Sequence, residues 1–234
     1  MEGSEKNRDE SRRTLSSIVT SGRVTNVVHL FIVAFAVYML YLSFSGTIEF
    51  FTWHPILMSV GWTLLLTEGI LILNRDNNVL KNIIGSNRIL YHWILQALAL
   101  ILSIIGVWIA FQNKLNKSKA HFKSWHGLFG LLGFIFAILS GLNGVLTLYN
   151  RELKDYYSPK LNKFVHVVLG TLAYLFGGLS AILSVYTKWF EWRTHSDDIV
   201  FGILLFFIIS TVIWTLVKPI NSVSDRFRQL ISIG

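Results

Sequence analysis

The sequence predicts an all-α, polytopic membrane protein with six transmembrane helices. Three observations predict it. Hydrophobic residues fill 53% of the 234 positions and charged residues only 15%, where a soluble domain carries about a quarter charged residues. Mean hydropathy is +0.53. The charges are also clustered, and the stretches between them approach the roughly 20 apolar residues that cross a bilayer as a helix.

The elements follow in chain order. Residues 1–25 are polar and mixed in charge, lack the apolar core of a signal peptide, and are expected to form a cytosolic disordered tail. Six apolar runs follow, at 26–44, 54–73, 89–111, 124–148, 164–186 and 198–217. Each is apolar on all sides, as a membrane helix should be. The connections are short and polar, among them NRDNNVLKNIIGSN, QNKLNKSKAHFK and TKWFEWRTHSD. Pro55 suits the first turn of the second helix, where its missing N–H costs nothing. Trp53, Trp62, Trp125, Tyr149, Tyr157, Trp189 and Trp192 fall near expected helix ends, where aromatic belts form. Residues 26–217 thus read as one six-helix domain, residues 218–234 as a cytosolic C-terminal tail, and no room is left for a separate soluble domain.

Lys and Arg set the orientation. The side that holds the N-terminus collects 15 of them and the other side 6. The positive-inside rule therefore places both termini in the cytosol. The sequon Asn116-Lys117-Ser118 lies in a loop on the opposite side, in agreement. The net charge of +8 is explained by this topology, so no nucleic-acid partner is expected. No cysteine is present, which excludes disulfides, thiolate zinc sites and iron–sulfur clusters.

Four of the seven histidines open spans: His54 in WHPILM, His92 in LYHWIL, His126 in SWHGLFG and His166 in FVHVVLG. Spans two and four run the same way, so His54 and His126 share one depth near the outer face. Spans three and five run the other way, so His92 and His166 share a depth near the cytosolic face. Ionisable groups inside a membrane are costly and usually functional. Two neutral imidazoles facing each other across a bundle suit a haem held between two axial nitrogens. Such an iron has no open position and moves single electrons. The two layers would lie roughly 20 Å apart at 1.5 Å rise per residue. A proton relay and a zinc or copper site are the other readings, with Glu68 the main buried acid. Glycines in the fourth span (Gly127, Gly130, Gly133, Gly141, Gly144) and fifth (Gly170, Gly177, Gly178) would admit a flat macrocycle or close helix packing, and packing is favoured.

These residues carry a resemblance. WHP at the second span, the basic residue four before the histidine in NRILYHW, HFKSWHG at the fourth span and KFVHVVLG at the fifth resemble the cytochrome b561 family of ascorbate-dependent transmembrane reductases. The resemblance covers about residues 26–217. The short tails, with no appended DOMON domain, resemble the "domain-containing protein 2" subgroup. It implies a central four-helix dihaem bundle from spans two to five, with spans one and six peripheral. Two haem b would be held by His54 with His126 and by His92 with His166. It further implies electron flow from cytosolic ascorbate to monodehydroascorbate or a ferric chelate on the other side. The family commonly forms homodimers, and the subgroup points to the endoplasmic reticulum or cytoplasmic vesicle membranes.

Ascorbate is an anion, so a cationic pocket beside the cytosolic pair is expected. Its candidates are Lys81, Arg88, Lys160 and Lys163, with Arg151 and Lys154 behind them. Arg88 and Lys160 match basic positions of the family, whereas Gly85 stands where several members carry a lysine. Arg75 resembles a family arginine that contacts haem. On the outer side, His121 is placed to touch an acceptor or ferric ligand. His29 and His195 are assigned no role. Two other functions compete with the reductase reading. One is a haem-bearing membrane anchor of a quinone-linked dehydrogenase. The other is a haem-free proton or metal transporter that uses the intramembrane histidines.

Overall fold

The computed structural model describes residues 22–74 and 85–232. Among them there is no strand, and six helices are long and apolar enough to cross a membrane. The first span is α1, Gly22–Phe44. The second, α2, is the continuous stretch Phe50–Leu71. The third to fifth are α3, Arg88–Asn116, α4, Trp125–Leu148, and α5, Pro159–Ser184. A six-residue helix, α6, Lys188–Arg193, precedes the sixth span, α7, Asp198–Ile231. The end at which α1 begins and α7 finishes is called the N-terminal face below.

Local chemistry explains the helix starts. Ser124 caps α4 by accepting from the Gly127 N–H, and Ser158 caps α5 ahead of Pro159 in its first turn. Asp197 caps α7 through the N–H groups of Ile199 and Val200. Pro219 lies inside α7 without ending it, and the helix runs on to Ile231. In the sequence this continuation reads as a tail, because the unbroken apolar run stops at 217 and polar residues predominate beyond it.

Two further differences have physical causes. The stretch TKWFEWRTHSD, read as a connection, folds into α6 because Arg193 is buried and clamps it. One Arg193 nitrogen donates to the Thr47 carbonyl at 2.8 Å, and its guanidinium lies over the Trp189 and Trp192 rings. Trp62 does not sit in an aromatic belt. It is buried in the bundle against Gly177, where a side chain would leave no room for the indole.

The helices pack through small residues, as bilayer helices must when apolar burial supplies no drive between them. A Cβ on Gly133 would lie 2.6 Å from the Gly177 backbone nitrogen, so α4 and α5 touch backbone to backbone. The main apolar core is not confined to spans two to five. Phe35, Met39 and Leu42 of α1 and Leu204, Ile208, Val212 and Leu216 of α7 are buried in it with Trp62, Leu66 and Tyr174. Leu30, Val33, Val37 and Tyr41, on the other side of α1, are exposed and suited to lipid.

Span two is not a plain α-helix. A 3-10 turn, Phe50–Thr52, leads into α-helix at Trp53–Met58, then eight residues of π-helix, Ser59–Leu66, then α-helix again at Thr67–Leu71. A π-turn accommodates an extra residue in a helix and is frequent at functional sites.

Candidate functional site

The structure brings the four helix-head histidines together in two pairs. The His54 and His126 rings have centroids 6.3 Å apart, and the His92 and His166 rings 6.4 Å apart. In both pairs the ring planes are nearly perpendicular, at 85° and 88°.

Each ring is held by the backbone of the neighbouring antiparallel helix. His54 Nδ1 bonds the Gly106 carbonyl at 2.8 Å, and His92 Nδ1 bonds the Gly69 carbonyl at 2.6 Å. These two bonds run in opposite directions between α2 and α3. Between α4 and α5 the same reciprocal pair recurs: His126 Nδ1 to the Ser180 carbonyl at 2.9 Å, and His166 Nδ1 to the Ser140 carbonyl at 3.1 Å. A carbonyl only accepts, so each Nδ1 carries the proton. Each Nε2 is then left with a free lone pair, and a buried metal-ligating histidine is typically oriented in this way by its other nitrogen.

The pairs fit a metal centre with two axial ligands. Two metal–imidazole bonds of about 2 Å, with roughly 1 Å from nitrogen to ring centre on each side, span about 6 Å. Among the described residues no group of three or more His, Cys, Asp or Glu side chains could hold a metal ion. A tetrahedral zinc or copper site therefore lacks its remaining ligands here. Haem, which brings four equatorial nitrogens of its own, needs only the two. Gly144 contributes by its lack of a side chain: a Cβ there would approach His166 Cε1 to 3.1 Å.

The substrate-side candidates are spread over the N-terminal face. Arg75 and Lys81 lie outside the described residues. Arg88 opens α3 one turn before His92 and donates from one guanidinium nitrogen to the Asn74 carbonyl at 2.7 Å. Lys160 and Lys163 are exposed in the first two turns of α5, with Lys163 one turn before His166. Gly85 has φ of +55°, a conformation that the lysine of other members would adopt only with strain. On the opposite face, His121 stacks on Phe111 at 4.1 Å, and its buried Nε2 has no hydrogen-bond partner.

Three features escaped the sequence reading. Arg226, on the continuation of α7, lies close enough to His166 to act on it electrostatically. The neighbouring Phe227 ring is 6.1 Å from that of Phe164 on α5, which ties this continuation to the head of α5. Second, an amide cluster joins α4 to α5 at the same face. Asn162 accepts from Asn143 at 2.8 Å and donates to Thr147 and Asn150 at 3.0 and 2.9 Å. Third, His29 does have a partner at matching depth: its Nδ1 is 2.7 Å from Glu68 Oε1. Two ionisable residues near the same end of adjacent antiparallel spans were the signal for that pair.

Known proteins are similar to this chain in sequence. The family model described as eukaryotic cytochrome b561 matches residues 53–191, which include all four paired histidines. Transmembrane reductase CYB561D2 of Bos taurus is 32% identical over 199 residues, covering 85% of this chain and 86% of that one. Its Homo sapiens counterpart is 33% identical over 162 residues, 69% of this chain and 72% of that one. Transmembrane ascorbate ferrireductase 2 of Arabidopsis thaliana is 35% identical over 99 residues, 41% of this chain and 40% of that one.

Proposed function

The chain belongs to the eukaryotic cytochrome b561 family, and from that premise we propose that it carries single electrons from ascorbate on the N-terminal face to monodehydroascorbate or ferric iron on the opposite face. It is an integral, multi-pass membrane oxidoreductase that binds haem. Two haem b are assigned, one to His54 and His126 and one to His92 and His166. The observation that carries this is the pair of ring contacts at 6.3 and 6.4 Å, with all four Nδ1 atoms committed to backbone carbonyls.

A haem held by the two imidazoles of each pair would supply a one-electron couple. The chain's own residues do the rest. The carbonyls of Gly106, Gly69, Ser180 and Ser140 fix the ring orientations and make each imidazole a stronger donor through Nε2. Apolar helix faces exclude water from both layers. At the N-terminal face, Arg88, Lys160, Lys163 and Arg226 present positive charge to an anionic donor. Arg88 spends one donor on Asn74 and keeps others for a substrate oxygen. The Lys and Arg excess on that face supports a cytosolic location for it. On the other face, His121, stacked on Phe111 beside the outer pair's loop, is assigned as the contact for an acceptor or ferric ligand.

A visible spectrum of the purified protein, oxidised, then with ascorbate, then with dithionite, tests this. Two b-type haems per chain, mostly reduced by ascorbate, are expected. Two haems that only dithionite reduces would replace ascorbate with another donor, such as a quinol. A protein that stays colourless after expression with added haem would overturn the proposal.

A further inference from the structure

The His29–Glu68 pair is unused by the reaction described so far. It lies inside the membrane-spanning part of α1 and α2, with side chains only 13% and 18% exposed. Burying a carboxylate and an imidazole is costly, and such a pair is weak evidence for stability. The α1–α2 contact does not depend on it, since Val28, Ile32 and Leu71 already form a buried apolar cluster there, with Leu64 and Trp214 against it.

Its position is specific. Glu68 directly precedes Gly69, whose carbonyl accepts the His92 Nδ1–H at 2.6 Å. One helical turn therefore carries the carboxylate on one side and the orienting group of a haem ligand on another. A small cavity lies about one helical turn from the pair. It has a volume of about 20 Å³ and lies between α1, α2 and α7, lined by Thr25, Asn74, Trp214, Thr215 and Lys218. Thr25 is one turn from His29 on α1, toward the N-terminal face. About 10–15 Å³ is enough for one water if two or more polar groups hold it. One lining atom, Trp214 Nε1, is buried with no hydrogen-bond partner, which a bound water would supply.

Resting on the assignment of haem to His92 and His166, we propose that the His29–Glu68 pair is a redox-linked proton site, fed through this cavity from the N-terminal face. When an electron arrives from the donor in the His92–His166 layer, the pair gains one proton from the aqueous phase. An O–H or N–H bond forms on it, and the proton comes from water at the N-terminal face. When the electron leaves for the acceptor, that proton returns to the same face. The physical cause is Coulombic: a negative charge added in a low-dielectric interior favours proton uptake by a buried group able to bind one. The charged and titratable groups on the elements around the pair are Arg88 and His92 on α3, Tyr174 on α5 and Lys218 on α7, with Asp225, Arg226 and Arg228 further along α7. Tyr174 bonds the neighbouring Thr67 at 3.2 Å, and Lys218 is bonded to Asn74.

Dye-mediated redox titration of the purified haem-loaded protein at a series of pH values tests this without ascorbate. One haem midpoint should fall as pH rises, approaching the ~59 mV per tenfold change in proton concentration that one proton per electron requires. The other midpoint should stay level. The sloping haem should be the one that survives in His54→Ala. Glu68→Gln and His29→Gln should each flatten the slope, whereas a purely structural tie would leave it in place. Two level midpoints in the unaltered protein, or a slope kept in both variants, overturn the inference and leave the assigned function standing. Absence of haem overturns both.

Discussion

The α2–α3 and α4–α5 hairpins hold their histidines by the same reciprocal bond, yet their helices meet differently. In α4–α5 the backbones touch at Gly133 and Gly177, and Ser140 and Ser180 supply the acceptor carbonyls. In α2–α3 glycines supply the carbonyls, and the nearest neighbour of a Cβ placed on each glycine is a side chain: Leu102 for Gly61, with the Ala99 carbonyl next at 3.2 Å, Gln96 for Gly69 and Met58 for Gly106. The spacing differs too. His92 to Gly106, His126 to Ser140 and His166 to Ser180 each span fourteen residues, whereas His54 to Gly69 spans fifteen. The longer interval falls in the one span that contains π-helix, which absorbs the extra residue. The comparison teaches that backbone carbonyls position the imidazoles whether a glycine or a serine stands at the acceptor position.

Breaking one hairpin at its backbone contact should have the largest effect. Gly133→Val pushes a side chain into the Gly177 backbone, which cannot yield, and should cost about 3 kcal/mol or more. Thermal melts in detergent should show a large loss, while Gly202→Ala, with nothing within 4 Å, should melt like the parent. Removing single ligands comes next. His54→Ala and His92→Ala should each lower haem content from two per chain to one, read as the haem-to-protein ratio, and a variant that kept both haems would refute the pairing.

A smaller effect separates the two faces. Lys163→Gln and Arg226→Gln should each raise KM for ascorbate roughly tenfold, about 1.4 kcal/mol of lost charge-assisted binding, with the visible spectrum unchanged. His121→Ala should leave that KM alone and slow reoxidation by a ferric chelate. The smallest contrast lies within one hairpin. Ser140→Ala keeps the carbonyl and should change nothing measurable. Ser180 also places Oγ 3.1 Å from His126 Nδ1 and donates to the His126 carbonyl at 2.9 Å. Ser180→Ala should therefore cost about 1 kcal/mol in a melt.

The spans and the depth pairing of four histidines were legible because both depend on side-chain type and on alternation of direction. Hydropathy located every span, and WHP, LYHW, SWHG and FVHV marked four helix heads. The carbonyl acceptors were not legible, since every residue has a carbonyl and none signals its use. The π-helix was hidden because SVGWTLLL is as apolar as any α-helical span. Arg226 was hidden by the polar composition around it, which reads as tail although the helix continues through it. His29 was set aside although Glu68 stood at the same depth, because attention to helix heads left no place for a pair deeper in the spans.

The reciprocal carbonyl bonds also bear on how the molecule is assembled. Both partners of each such bond lie within one hairpin, whereas each histidine pair draws one ring from α2–α3 and one from α4–α5. Each hairpin can therefore set the tautomers of its own rings as soon as it is inserted, before it meets the other. The final step would then be a docking of two prepared halves, with the proposed prosthetic groups as rivets across that seam. A maturing chain short of haem would keep its hairpins and lose the fastening between them.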